Sequence, residues 1–487
     1  MSKRIVVGLA CLAGLSASPF AGEQVPFVPQ KTAAVASVDR HAAELARLSD
    51  QVWAYAETGL LETKSAEAIA SFAEAQGFRV RRGVAGMPTA FTAEYGQGAP
   101  VIAVLGEYDA LPGISQKAEP VKAPLVAGAP GHGCGHNLLG VGALGAALAV
   151  KEQIAAGKIA GTIRYYGTPA EETVGGKLYM IRAGLFKDVD VVLSWHPSDE
   201  TNADTRSSQA IVTFIVEFHG KTAHAAYDPW NGRSAVDGLE IFTQAINYLR
   251  EHVKPTVRIH YTIVNGGEVP NVVPDYAKVL CWVRDSERPG VEDVMTRVRK
   301  IAAGAALAAD VESKLTLEGG LYNMLVNMKG QRLLFDNLQW LGPPKFTPDE
   351  QRFARELQKA TGTEETGLDE AIQPFLDKPG PPEGGSTDVG DVSWNVPTLQ
   401  LGVPTAPKKA PWHAWPVVAC GGMSIGHKGM AYAAKAMAAT MIDLFNDPVK
   451  RAEVKKEFAE KVAGKPYQSY LPDGPPPVPR REPPVVK

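Results

Sequence analysis

The chain has 487 residues, 45% hydrophobic and 21% charged, with 50 Lys and Arg against 53 Asp and Glu. That length suffices for two or three domains with a sizeable core, and a net charge of −3 gives no electrostatic basis for a nucleic-acid or anionic-membrane partner. Four cysteines (Cys11, Cys134, Cys281, Cys420) are too few for a disulfide-scaffolded fold, and no run beyond the leader reaches the roughly 20 apolar residues of a transmembrane helix.

Lys3 and Arg4 precede a mostly apolar stretch, then small residues and Pro19. This pattern predicts a signal peptide over 1–22 and a periplasmic or secreted mature protein, with a cytoplasmic location as the alternative. Helical spacing follows from about 38 to 77, where Gly77 stops it. A strand at 101–105 runs into Gly106-Glu107-Tyr108-Asp109-Ala110-Leu111-Pro112. An apolar helix at 138–154 begins directly after Cys134-Gly135-His136-Asn137. Strands at 162–166 and 189–194 run into Gly167-Thr168-Pro169-Ala170-Glu171-Glu172 and Trp195-His196. This alternation predicts an α/β layer architecture, with three polar clusters at strand ends, where open α/β sheets present their ligands.

Between 206 and 318 the order becomes strand 211–218, helix 235–250, strands 256–264 and 277–283, and helix 291–309. That reads as a compact α+β module inserted into the larger domain, whose two parts are 38–205 and 319–450. A last helix is expected at 430–445, and a proline-rich tail at 472–487 is expected to be extended or disordered.

The chemistry concentrates in the polar clusters. Cys134 and His136, a soft anionic ligand and an imidazole, suit zinc or a similar metal. Glu171 and Glu172 are adjacent, so their side chains diverge: one can bind metal while the other faces a water as general base. His196 ends the third strand. His413 or His427 can complete a set of about five ligands, one bridging, for two metals roughly 3.5–4 Å apart. A thiol hydrolase with Cys134 as nucleophile is the rival of a different class, and it leaves Glu171, Glu172 and His196 without roles. A non-catalytic binding protein that keeps the metal fold is a further rival, opposed by the presence of Glu171.

With Gly131-His132-Gly133-Cys134-Gly135-His136-Asn137, Gly220-Lys221-Thr222-Ala223-His224-Ala225, Asn271-Val272-Val273-Pro274-Asp275 and Gly385-Ser386-Thr387-Asp388-Val389-Gly390-Asp391 added to these clusters, the chain from about 38 to 447 resembles the zinc metallopeptidase and aminoacylase family. That family includes carboxypeptidase G and the auxin-conjugate amidohydrolases; the nearest branch is the B type of the aminobenzoyl-glutamate utilisation hydrolases. The resemblance implies a central mixed sheet with helices on both faces, plus a ferredoxin-like lid and dimerisation domain at 206–318. It implies two divalent metals (Zn or Mn) on Cys134 as bridge, His136, Glu172, His196 and His413, with Glu171 as general base and Asp109 supporting the site. It implies that His224 reaches across a dimer to polarise the scissile carbonyl, and that Asn271 and Arg284 meet substrate from the lid. The expected activity is hydrolysis of an N-acyl or N-aroyl amino acid, or of a dipeptide by the same site, in a homodimer or a hetero-oligomer with a related chain. The sequence departs from the wider pattern in having Gly-Glu-Tyr-Asp in place of Arg-Ala-Asp-x-Asp, and Asn137 after Cys-Gly-His.

Overall fold

The computed structural model describes residues 26–382 and 385–479. The leader expected at 1–22 lies outside them. In chain order the strands are β1 (Arg79–Arg82), β2 (Phe91–Gln97), β3 (Val101–Gly106), β4 (Gly161–Gly167), β5 (Val191–Ser198), β6 (Asn202–Ala203), β7 (Ala210–His219), β8 (Arg258–Asn265), β9 (Tyr276–Asp285), β10 (Glu312–Leu321) and β11 (Thr398–Pro404).

Seven of them form a mixed sheet in the order β1-β2-β4-β3-β5-β11-β6. Its centre, β4-β3-β5-β11, is parallel, while β1, β2 and β6 add antiparallel edges. The central strands are apolar on both faces, as a doubly covered parallel sheet requires. Ile102 and Val104 pack into the larger core, with helices Val28–Tyr55, His136–Ala155 and Ser424–Asn446, whereas Ala103 and Leu105 face helix Gly176–Arg182 and its neighbours. Helix His136–Ala155 is long and apolar enough to cross a membrane, but it is mostly buried as the central core helix of this layer. Its glycines permit that burial: a Cβ on Gly140 would stand 2.5 Å from the Glu107 carbonyl oxygen.

The other four strands form an antiparallel sheet, β10-β7-β9-β8, with helices Ala235–Leu249 and Arg288–Ala309 on one face. The βαββαβ order is the ferredoxin-like arrangement. Its second core is separate from the first, and Phe214, Phe218, Phe242 and Val279 are fully buried there.

Several boundaries differ from expectation. The helix expected at 38–77 is two helices, Val28–Tyr55 and Thr63–Ala75, broken where Ala56 and Leu60 adopt positive φ and Thr58 bridges to Ala110. Strand β5 continues to Ser198, so His196 lies within it, paired with Gly402. The helix after 430 begins at Ser424, and a further helix, Pro448–Val462, follows. The proline-rich tail is described to 479 and carries no helix or strand there, yet it is anchored. Arg182 donates to the Pro472 and Gly474 carbonyls, and Leu471 and Val478 pack on the catalytic layer. Composition alone predicted an extended or disordered tail; a guanidinium and apolar residues from elsewhere in the chain hold the described part down.

Candidate metal centre and active site

The parallel register aligns the carboxyl ends of β3, β4 and β5, with Gly106 opposite Gly167 and Val104 opposite Leu193. Chain leaving that edge carries the polar side chains. Glu107 and Asp109 follow β3 directly, and Glu171 and Glu172 follow β4. His196 sits near the end of β5. Gly135, at φ 74, turns the chain into helix His136–Ala155 and sets Cys134 and His136 at its mouth. His413, itself at φ 53, comes from the loop after β11, its N–H donating to the Gly133 carbonyl at 3.0 Å.

These side chains converge as two donor sets that share Cys134, beside a third formed by Glu107, His136 and Glu171. Cys134, His136 and His196 form one; Cys134, Glu172 and His413 form the other; within each, ligand atoms lie within 4.8 Å of one another. Cys134 belongs to both. Cys134 Sγ is 3.4 Å from His196 Nε2, and His413 Nε2 is 3.6 Å from Glu172 Oε1. The His136 and His196 rings are each oriented through their other nitrogen. His136 Nδ1–H donates to Asp109 Oδ1 at 2.9 Å and His196 Nδ1–H to the Pro197 carbonyl at 2.7 Å, so both turn Nε2 inward. His136 Nε2 and Glu172 Oε1 are buried without a hydrogen-bond partner. Orphaned, buried donor atoms of a soft–borderline–hard set are what a pair of divalent cations would satisfy. His427 is elsewhere: its Nε2 pairs with Asp50 at 2.8 Å.

Electrostatics speak against a thiol nucleophile. Burial pushes the Cys134 thiol up to about 12, the reverse of an activated cysteine. Burial, then the charges of Glu107, Asp388 and Glu172, pushes Glu171 well above the usual carboxylate range. Burial also pushes Asp109 upward, but its hydrogen bond to His136 and that residue's charge prevail and hold it below its ordinary value.

Beneath Glu171 lies a network to which sequence reasoning gave no role. Lys177, fully buried, donates to Glu107 Oε1 at 2.7 Å and Asp388 Oδ1 at 2.5 Å, while Glu107 Oε2 stands 3.1 Å from His136 Nε2. Glu107 and Asp388 fall within quoted motifs, but nothing local to Lys177 links it to residues 70 and 211 positions away. Asn137 is structural: buried, it donates to Ser49 and to the Gly421 carbonyl.

A cavity of about 510 Å³ opens onto Cys134, Glu171, Glu172, His196 and His413, with Arg284 of β9 on its wall. The Arg284 guanidinium is half-buried and donates to Ser386 Oγ at 3.0 Å. His224 and Asn271 are not on that wall. Both are exposed on the four-stranded domain, where the Ala225 N–H meets the Asn271 carbonyl at 3.0 Å.

Residues 206–310 match the M20 peptidase dimerisation domain. Over 452 residues the chain is 39% identical to the B-type chain of p-aminobenzoyl-glutamate hydrolase from Escherichia coli (strain K12), covering 87% of this chain and 94% of that protein. The chain belongs to the M20 peptidase family. This M20 protein is also 30% identical to the Xaa-Arg dipeptidase of Mus musculus, over 89% of its own length and 93% of the dipeptidase. Its fold is shared with a dinuclear metal binding M20 peptidase of Bacillus subtilis (TM-score 0.58, 18% identity, covering 83% of this chain and 99% of that one). An aminobenzoyl-glutamate utilization protein of Klebsiella pneumoniae shares it too (TM-score 0.58, 16% identity, 85% and 98%). As a member of this family the chain is a metal-dependent amidohydrolase.

Proposed function

We propose that this protein hydrolyses the amide bond of an N-acyl or N-aroyl amino acid of the aminobenzoyl-glutamate type. The observation that carries the reading is the pair of donor sets sharing Cys134, with Glu171 on the same cavity wall. Cys134, His136 and His196 would hold one metal, and Cys134, Glu172 and His413 the other. When bound, two divalent cations (zinc or manganese) supply Lewis acidity toward water and the amide carbonyl. Glu171 takes the proton from the attacking water and returns it to the leaving amine. Arg284, presented by β9, pairs with the substrate carboxylate. Asn271 meets substrate from the lid, and exposed His224 serves the partner protomer's site in a homodimer, the carbonyl-polarising role. The E. coli relative is by name one component of a hydrolase with more than one kind of chain, so assembly with a related chain is the alternative. The leader at 1–22 directs export to the periplasm, checked by the N-terminal sequence of the protein from cell fractions.

The test is metal content beside hydrolysis of aminobenzoyl-glutamate, several N-acyl amino acids and Xaa-Arg dipeptides, for wild type and Glu171→Ala. Two metals per chain and a loss of about 10²–10⁴-fold in the variant are expected. Absence of metal after reconstitution, or full activity in Glu171→Ala, refutes the mechanism. Preference for the dipeptides moves the substrate to the dipeptidase class with the chemistry intact.

A further inference from the structure

Glu62 is completely buried, and nothing in the hydrolytic scheme uses it. It directly precedes helix Thr63–Ala75, but its carboxylate makes no capping hydrogen bond to that helix. Instead it reaches 108 positions along the chain, where Oε1 accepts the Ala170 N–H at 2.9 Å; Oε2 accepts the Thr89 hydroxyl at 3.0 Å.

Ala170 is the residue before Glu171. It is fully buried and held at φ 60, in the left-handed region that a residue with a Cβ rarely enters. That conformation bends the chain after β4. It lets the Ala170 carbonyl accept from Val174 and Gly175, at 3.3 and 3.0 Å, and turns Glu171 and Glu172 toward the cavity. On the other side of Glu171, the Glu172 N–H is accepted by Asp109 Oδ2 at 2.9 Å. The general base is thus flanked by two peptide N–H groups, each gripped by a buried carboxylate from a different part of the chain. Gly59 closes the third side, since a Cβ there would stand 3.2 Å from both Ala170 Cα and Cβ.

We propose that Glu62 is a positioning residue for the hydrolytic reaction, fixing the left-handed turn at Ala170 that aims Glu171. The inference rests on the assignment of Glu171 as general base. Glu62 touches neither substrate nor metal ligand; it acts through one backbone hydrogen bond.

Three variants separate this role from a merely structural one. Glu62→Ala removes the acceptor, Glu62→Asp keeps the carboxyl group but withdraws it by one methylene, and Glu62→Gln keeps an acceptor oxygen for the Ala170 N–H. In metal-loaded enzyme, Ala and Asp are expected to lose about 100-fold in kcat with KM within about threefold of wild type, and Gln to recover most of that loss. In metal-free protein, hydrogen exchange of peptides spanning 168–175 is expected to show the Ala170 amide protected in wild type and Gln, and open in Ala and Asp. Should Glu62→Ala fail to fold, Glu62→Asp carries both readouts. An Ala170 amide still protected in Ala and Asp, kcat in them within about threefold of wild type, or a Gln variant as impaired as Ala would each overturn the proposal. The exchange readout needs no catalysis, so an active Glu171→Ala would refute the general-base reading while leaving the Glu62 tether measurable by itself.

Discussion

Replacing Asp109 with Asn tests the way the metal ligands are oriented. Asp109 is fully buried and spends both carboxylate oxygens, Oδ1 on His136 Nδ1–H and Oδ2 on the Glu172 N–H, each at 2.9 Å. An asparagine has one acceptor oxygen and one donor nitrogen, so it can serve one of these donors and must oppose the other. With its oxygen toward His136, its amide meets the Glu172 N–H donor to donor, and the loop carrying the Glu pair loses its tether. With its nitrogen toward His136, the ring must accept at Nδ1 and carry its proton on Nε2, the atom that faces Cys134 and Glu172. Either way a charge-assisted hydrogen bond worth about 1.5–3 kcal/mol is lost. Loss of an outer partner of a ligating histidine lowers metal affinity by about 10–100-fold, which corresponds to about 1.4–2.8 kcal/mol, so the two figures agree. The assay is titration of metal-free protein with Zn²⁺ in competition with a chromophoric chelator. Affinity within about twofold of wild type at both sites would refute the argument that Asp109 sets the His136 tautomer.

Three further outcomes concern stability. Lys31 and Asp443 form an ion pair at 2.8 Å with both side chains 2% exposed; Lys31→Met strands the carboxylate and is expected to lose about 3–5 kcal/mol in urea unfolding, largely restored by a second change, Asp443→Leu. A loss under about 1 kcal/mol would show that water reaches the pair. Gly140→Ala places a Cβ 2.5 Å from the Glu107 carbonyl; a cost of about 1–3 kcal/mol with a parallel fall in activity is expected, and an unchanged Tm contradicts it. Burial raises Asp391 to about 7, against the opposing hydrogen bonds from Tyr467 and the Tyr322 N–H. Its protonated form is thus favoured by folding, so its contribution is complete below the unfolded value near 3.9 and is lost as pH rises through about 7. Asp391→Asn should be less sensitive than wild type to a change from pH 5 to pH 8, and parallel stability curves would refute that.

The fold was legible where hydrophobic pattern and length agree. Continuous apolar runs at β3, β4 and β5 and the apolar helix after Cys134 read as parallel strands and a buried helix. The misses have local causes. Strand β1 reads Arg79-Val80-Arg81-Arg82, exposed along most of its length, so no hydrophobic period announces it. Strand β10 carries two glycines and a bulge between Leu317 and Gly319. The break after Tyr55 has no proline to signal it; Ala56 and Leu60 take positive φ because tertiary contacts hold them there.

At the site, legibility followed residue chemistry. Cys134, His136, Glu172, His196 and His413 belong to types with few uses in such clusters, and each lies near the end of an element whose end the sequence marks. Glu62, Glu107, Lys177 and Asp388 are residue types normally found in solvent, and a single sequence offers no reason to bury them. Lys177 meets Glu107 and Asp388 across 70 and 211 positions, and Glu62 meets Ala170 across 108, so only the folded chain brings acceptor to donor. Burial is what makes these groups consequential. A carboxylate in water would grip the Ala170 N–H weakly, whereas the same carboxylate sealed beneath the cavity has no competing water and a strained turn to hold. In the mechanism proposed, the candidate ligands name the chemistry, and the buried acids beneath them would set where Glu171 stands.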